Sequence, residues 1–496
     1  MKQSTYSNQE WITIIISIVS IVISLLTMLA FGGVTEPAFQ TAPPEPPHAL
    51  LIENVGGAHA MLPPARRDIP PVGEWFVQPE TGIPIQRLTD VSLTTNPQSA
   101  NPRAMNGIPT AGLTNGYSSW FNVNLTGEYM LAACTSPMNA YYDIEPSRFM
   151  GLVLAKIASN GGKAVYEPRW DMSGAPGTDT DIHYYTGNRY LKLNLWTSVS
   201  QVLWTFPVRV GNIESALMDD GGPDDANRYR PFKLINGEIH VYDHLSKTVL
   251  PGHPLISDGS SHRIYMSGDG EWLARSTTAT SNDYRRALFR TSDLAAGNVL
   301  PVYMPGRGGH GAWCYKDGRS VFVWIEASTD WLTMLDPETS TVTRLMPMAE
   351  MGWAVNLHVA RTPRAWDGWA LISTYAWGDQ ALDDGWAYNQ MWMQELKPNG
   401  RVVRLAHTMT YGWDSQGQVV GGGSNNYFTQ AFASMSPDGR YVYWGANMLG
   451  LDNLEIYRMA LPSPDSLAEP EPEPTPAEMN LTVPANIERL NITIER

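Results

Sequence analysis

Histidines are the residues of this chain whose placement most clearly invites chemistry. His262 and His310 each stand eight residues before a turn glycine, Gly270 and Gly318. Strands of equal register would therefore present both imidazoles at one height of a common site. His358 stands ten residues before Gly368 and His183 four before Gly187, so both approximate that level less well. Imidazoles converging from neighbouring strands, with Gln430 near the same end, could bind a divalent metal, because neutral imidazole suits zinc, iron, nickel or manganese. The competing use of each His is a hydrogen bond to a loop carbonyl or carboxylate.

Acidic and aromatic residues supply further candidates. The segments Asp219-Asp220-Gly221-Gly222-Pro223-Asp224-Asp225 and Asp379 with Asp383-Asp384-Gly385 are oxygen-rich, as calcium requires. Neither has EF-hand spacing, so a solvated loop is expected at each. Asp179 and Asp181 beside His183 would form a metal or acid/base cluster only if the fold carried them to the same mouth as the other histidines. Trp377, Trp386, Tyr388, Trp392, Tyr411 and Trp413 fall in two successive repeats. Exposed aromatic rings stack on sugars, with Asn, Asp and Gln fixing hydroxyls, which makes Trp377, Trp386, Trp413 and Gln430 the ligand-binding candidates. Core packing accounts for most of the remaining aromatics. No Gly-x-Ser-x-Gly elbow, phosphate loop, His-Glu-x-x-His or Cys-x-x-Cys occurs, so the sharpest enzyme signatures are missing.

The elements that must position these residues repeat along the chain. A Gly turn feeding an alternating aromatic or aliphatic strand recurs, best in Ser436-Pro437-Asp438-Gly439-Arg440-Tyr441-Val442-Tyr443-Trp444. Asp-Gly suits such a turn because Gly takes positive φ without strain and Asp tolerates it. Turn glycines at 127, 187, 237, 270, 318, 368 and 439 are separated by 60, 50, 33, 48, 50 and 71 residues, near the length of a four-stranded propeller blade with its loops. The 33-residue gap is the irregular one. A second hairpin type, Pro79 to Leu88, Pro337 to Leu345 and Pro398 to Leu405, supplies outer strand pairs. Because Trp75 to Leu88 precedes the first inner hairpin, it is expected to pair with the last blade and close the ring. The fold class is thus all-β: a β-propeller of seven blades, with six and eight the alternatives.

The Ser436-Pro437-Asp438-Gly439 copy resembles the propeller repeats of TolB-like proteins. Arg404 to Thr408, Tyr427 to Gln430, Ala433 to Gly439 and Trp444-Gly445-Ala446-Asn447 resemble the C-terminal part of uncharacterised secreted bacterial propellers and, more remotely, the oligogalacturonate lyase family. The resemblance covers roughly the last 150 residues and implies fold more than chemistry. Phe432 stands where that group implies a His, and the closely spaced His pair of the lyases is absent, which weakens a lyase assignment.

At the other end, residues 11–35 carry no charged side chain, and Ile12 to Phe31 is long enough to cross a hydrocarbon core of about 30 Å. The expectation is an uncleaved transmembrane signal-anchor helix at 11–33, after a cytoplasmic segment at 1–10. Lys2 inside against Glu36, Glu45 and Glu53 outside gives the orientation. Thr13, Ser17, Ser20, Ser24 and Thr27 form one helical stripe, a candidate homo-oligomer seam. A Pro-rich stalk (34–71) then leads to the propeller (72–462), a Pro/Glu linker (463–478) and a C-terminal tail with strand character (479–496).

A formal net charge of −15 with no basic run argues against nucleic-acid binding. The two cysteines, Cys134 and Cys314, fall in non-adjacent repeats and are expected as free thiols. Two functional readings follow: a membrane-anchored extracytoplasmic module at the cell surface or periplasm that binds glycan or an envelope protein, or a metal-dependent polysaccharide lyase using a His-lined channel.

Overall fold

The computed structural model describes residues 69–90, the backbone of Ile52–Glu53, and 113–467 apart from 116–117, 119, 135–138, 146, 154–165, 212–219, 256–262, 277–286, 307, 352–355, 376–386, 388, 411–429 and 449–453. Seven separate sheets account for its strands, one per blade. The first runs from Leu113–Thr114 to Arg148–Leu152, the second from Tyr166–Trp170 to Ser200–Thr205, and the third from Tyr229–Lys233 to Thr248–Val249. The fourth spans Arg263–Met266 to Pro301–Tyr303, the fifth Gly308–Lys316 to Thr341–Pro347, and the sixth Asn356–Val359 to Val402–His407. The seventh takes its three inner strands from Ser434–Met435, Tyr441–Ala446 and Glu455–Ala460 and its two outer strands from Trp75–Val77 and Pro84–Arg87.

That last sheet closes the ring. Ile85 pairs with Met459, Gln86 with Arg458 and Arg87 with Tyr457, so the N-terminal hairpin covers an edge that would otherwise leave a row of backbone groups unpaired. Arg458 fixes the joint by donating to Gln86 Oε1 at 2.7 Å and lying over the Trp75 ring.

The irregular glycine spacing has a structural cause. Among the described residues the third blade has three strands, the outermost of two residues, which shortens the interval from Gly237 to Gly270. In the second blade Gly187 joins Asp181–Thr186 to Arg189–Asn194, the second and third strands, whereas the other turn glycines serve the first and second. At Gly439, φ is +73° and an added Cβ would lie 2.7 Å from Trp366 Cδ1. Conformation and space both demand glycine there.

Apolar side chains pack in the seams between blades. Ala312, Val323 and Met334 of the fifth blade meet Leu357, Ile372 and Trp392 of the sixth, and Trp170 and Ile182 of the second meet Leu131 and Tyr141 of the first. Cys134 belongs to a strand of the first blade and Cys314 to the fifth. Cys314 is a free, buried thiol, and burial pushes it up to about 12, so it is unreactive.

Two segments add contacts beyond the regular blades. Asp220–Gly222 forms an extra strand inside the fourth blade, parallel to Arg263–Met266. From the first blade, Ser118 reaches the sixth: its carbonyl accepts from the Arg361 N–H at 3.0 Å. Residues 462–496 form a separate unit, whose described part holds the 3-10 turn Pro464–Leu467. Among the described residues no helix is long and apolar enough to cross a membrane. The anchor, most of the stalk and the C-terminal tail lie outside them.

Candidate functional site at the fifth and sixth blades

His310 lies near the start of the innermost strand of the fifth blade. Gly309 pairs with Ile325 and Ala312 with Val323, leaving two residues opposite one, a β-bulge. His310 takes φ +50° there, and the bulge turns its side chain toward the sixth blade. Its Nδ1 donates to the Leu357 carbonyl at 3.0 Å, so neutral His310 has its lone pair on Nε2.

His358, fully buried on the innermost strand of the sixth blade, stacks on His310 with ring centroids 4.3 Å apart and planes 16° from parallel. Its Nε2 donates to Gln430 Oε1 at 2.6 Å. Tyr375 stacks beyond, 5.1 Å from His358. Phe432, with φ +42°, presents its ring 4.6 Å from His358, and its carbonyl accepts from Asn115 Nδ2 at 2.9 Å. His310, His358 and Gln430 therefore come together at one end of the channel, with an apolar ring where the family resemblance implies an imidazole. His262, Trp377, Trp386 and Trp413 lie outside the described residues. The chain that leads to Trp377 and Trp386 leaves the described residues after Tyr375, and the chain from Trp413 rejoins them at Gln430; Tyr375 and Gln430 both lie beside His358.

These residues do not fit a shared metal ion. Stacked imidazoles keep their lone pairs in two nearly parallel planes, whereas two ligands of one ion must converge to about 2.0–2.2 Å from it. Gln430 has also claimed His358 Nε2. Among the described residues no group of three or more His, Cys, Asp or Glu could hold a metal.

His183 belongs elsewhere, which corrects its placement from the glycine offset. Because the Gly187 turn serves the second and third strands, His183 lies on the second strand of its blade, away from the channel. Its Nε2 lies 3.1 Å from Asp171 Oδ2, Tyr190 OH lies 2.9 Å from its Nδ1, and Tyr190 OH is also 2.8 Å from His244 Nε2. Burial, with Arg230 and Lys192 nearby, holds the His183 imidazolium range well below ordinary. The Tyr190 hydroxyl thus bridges the two imidazoles. Asp181 pairs with Lys192 at 2.6 Å instead of joining a metal cluster.

The acidic loop before the third blade is likewise not a solvated loop. Asp224 is buried and accepts from the Tyr229 N–H at 2.6 Å. Asp225 accepts from Arg361 at 2.5 Å and from Tyr315 OH at 2.7 Å, and the Pro223 carbonyl accepts from Arg361 as well. Asp379, Asp383 and Asp384 lie outside the described residues. Trp392 is core. Arg361, Arg169, Trp120 and Tyr375 were not singled out from sequence. Arg361, two residues past the end of the strand that carries His358, was the only one whose position gave a signal.

The fold is a seven-bladed β-propeller, with the stacked His310–His358 pair where its fifth and sixth blades meet. Two solved structures share the fold. The oligogalacturonate lyase of Vibrio parahaemolyticus has a TM-score of 0.51 and 13% identity, covering 78% of this chain and 96% of that one. An oligogalacturonate lyase in complex with manganese also has a TM-score of 0.51 and 13% identity, covering 80% of this chain and 97% of that one. At this identity the likeness concerns the fold. No family model, TolB-like repeats included, matches the chain, and no curated protein matches it in sequence.

Proposed function

We propose that this propeller is a non-catalytic binding module for a glycan, held at the cell envelope by the apolar segment at 12–31. The observation that carries the reading is the stacked His310–His358 pair tied to Gln430. Its lone pairs do not converge on an ion, and His310, the partly exposed ring of the pair, is the face on which a sugar would stack. Tryptophans 377, 386 and 413 would extend this surface as sugar platforms. The stalk would set the module away from the bilayer, and the Thr13 to Thr27 stripe would allow anchors to pair.

The competing reading is a metal-dependent polysaccharide lyase, favoured by the fold shared with a lyase that was solved with manganese. One experiment separates them. The purified propeller is titrated with uronate-containing and neutral oligosaccharides while metal content and unsaturated product are measured. Binding without product and without stoichiometric metal is expected, and turnover or a stoichiometric ion would overturn the module reading. Recovery of the full chain in the soluble fraction, trimmed near residue 33, would overturn the anchor.

A further inference from the structure

The second blade carries an exposed hairpin without charge. From Leu193 to Val208 no residue is acidic or basic, in a chain of formal net charge −15. This stretch turns at Leu195–Thr197 and returns as the outer strand Ser200–Thr205, which pairs on one side with Arg189–Asn194 and on the other with no strand. Trp196, Val199 and Val202 are 55%, 65% and 46% exposed. The turn holds its tryptophan in place. The Trp196 and Thr197 amides donate to Asn194 Oδ1 at 3.1 and 2.8 Å, and the indole meets the Tyr129 ring edge-on with centroids 6.2 Å apart. A bulge at Leu203 packs both Leu203 and Trp204 against the core shared with the third blade, which leaves Ser200–Val202 as the regular part of the open edge.

An open strand edge offers backbone N–H and C=O groups to another chain, and proteins blunt such edges with charge, proline, shortness or a cover. Among the described residues the outer strands of the other six blades are blunted. Arg148–Leu152 opens on an arginine, Thr341–Pro347 contains Arg344, and Pro301–Tyr303 opens on a proline. Thr248–Val249 and Trp75–Val77 have two and three residues, and Val402–His407 is covered by Ile52–Glu53. Ser200–Thr205 has six residues with no charge and no proline. Charge also selects the partner. Two copies of a chain at −15 repel each other, so they approach closely only where both surfaces are uncharged. Antiparallel self-pairing about a two-fold axis meets that condition, because it opposes Val, Ser and Gln with the same residues and brings no like charges together. Lys192, which pairs with Gln201 in the neighbouring strand, is tied to Asp181 at 2.6 Å.

We infer that the outer strand of the second blade is a homodimer interface, in which Ser200–Val202 pairs antiparallel with the same strand of a second copy and joins the two blades into one sheet. Trp196 and Val199 flank the pairing and bury their exposed faces against the partner. The interface is independent of the glycan reading, since it shares no side chain with the His310–His358 pair.

The test uses the full chain in mild detergent. Val199, Ser200, Gln201 and Val202 are replaced singly by cysteine and oxidised, with the unaltered chain and Val342→Cys, on the outer strand of the fifth blade, as controls. A covalent dimer is expected at one or two of the four positions, since a two-fold axis brings only the residues nearest it opposite their own copies, and in neither control. Sedimentation of Val202→Lys, which sets lysines near each other across the axis, should show a dimer about tenfold weaker, with an unchanged near-ultraviolet circular dichroism spectrum showing that the fold is kept. No crosslinking at any of the four positions, equal crosslinking in the controls, or an affinity unchanged in Val202→Lys would overturn the inference. A dimer lost instead when Ser17, Ser20 and Ser24 are replaced by leucine would assign the assembly to the apolar segment and overturn it as well. If Val202→Lys does not fold, the crosslinking decides alone.

Discussion

Arg361 Nη2 donates to Asp225 Oδ1 at 2.5 Å, tying the segment just after the innermost strand of the sixth blade to the one that follows the extra strand inside the fourth. The same arginine bonds the Pro223 carbonyl and lies over the Phe121 ring of the first blade, 5.3 Å away. One side chain thus joins three parts of the ring at the channel. Arg361→Ala would strand Asp225 and Tyr315 and open a cavity. We expect a loss of about 2–4 kcal/mol in denaturant unfolding, below the range for a fully buried pair because Asp225 is partly exposed. A loss under about 0.5 kcal/mol would show that the network contributes little.

Two turn glycines separate conformational strain from crowding. Gly318 and Gly439 have nearly the same φ, +74° and +73°, but only Gly439 has atoms in the path of a Cβ. Gly318→Ala should cost about 1–2 kcal/mol, the penalty of a left-handed alanine. Gly439→Ala should cost clearly more, since it also displaces Trp366, whose Nε1 donates to the Gly439 carbonyl at 2.8 Å. Thermal unfolding of the two variants side by side reads the difference.

His407 gives a pH dependence with a definite sign. Its Nδ1 accepts from the Met409 N–H at 2.9 Å, and burial pushes its pKa down to about 3. The folded state therefore takes up this proton less readily than the unfolded chain, whose histidine titrates near ~6.5. The stability is complete above that pH and is lost as pH falls from about 6.5 toward 3, by up to about 1.4 kcal/mol per pH unit for this group. His183 and His244 act in the same direction, since burial lowers both. Unfolding free energies measured from pH 7 to 5 should fall less steeply in His407→Gln than in the parent chain, and equal slopes would contradict the assignment.

Removing the closing hairpin should matter more than removing the rest of the N-terminal region. A chain starting at residue 91 lacks Trp75–Val77 and Pro84–Arg87, exposing the Glu455–Ala460 edge and freeing Arg458. It should aggregate and lose cooperative unfolding, whereas one starting at residue 69 should stay monodisperse by size-exclusion chromatography. Equal behaviour of the two would show that the ring does not depend on this closure.

The sequence by itself determined the class of fold, because Asp-Gly turns and alternating apolar strands are local signals, set by positive φ and by the two-residue period of a strand. Closure by Trp75 to Leu88 was also legible, since an outer hairpin with no inner partner before it must pair elsewhere. The nearness of His310 and His358 followed from counting back from Gly318 and Gly368. Counting failed at His183, where the glycine serves a different pair of strands. Only the tertiary structure decided how the two imidazoles face each other, because that depends on a bulge at His310 and on Gln430, 72 residues from its partner. The same is true of Asp225, read from sequence as part of a solvated loop. Its partners Tyr315 and Arg361 are 90 and 136 residues away, and side-chain contacts at such separation leave no periodic trace in the chain that makes them.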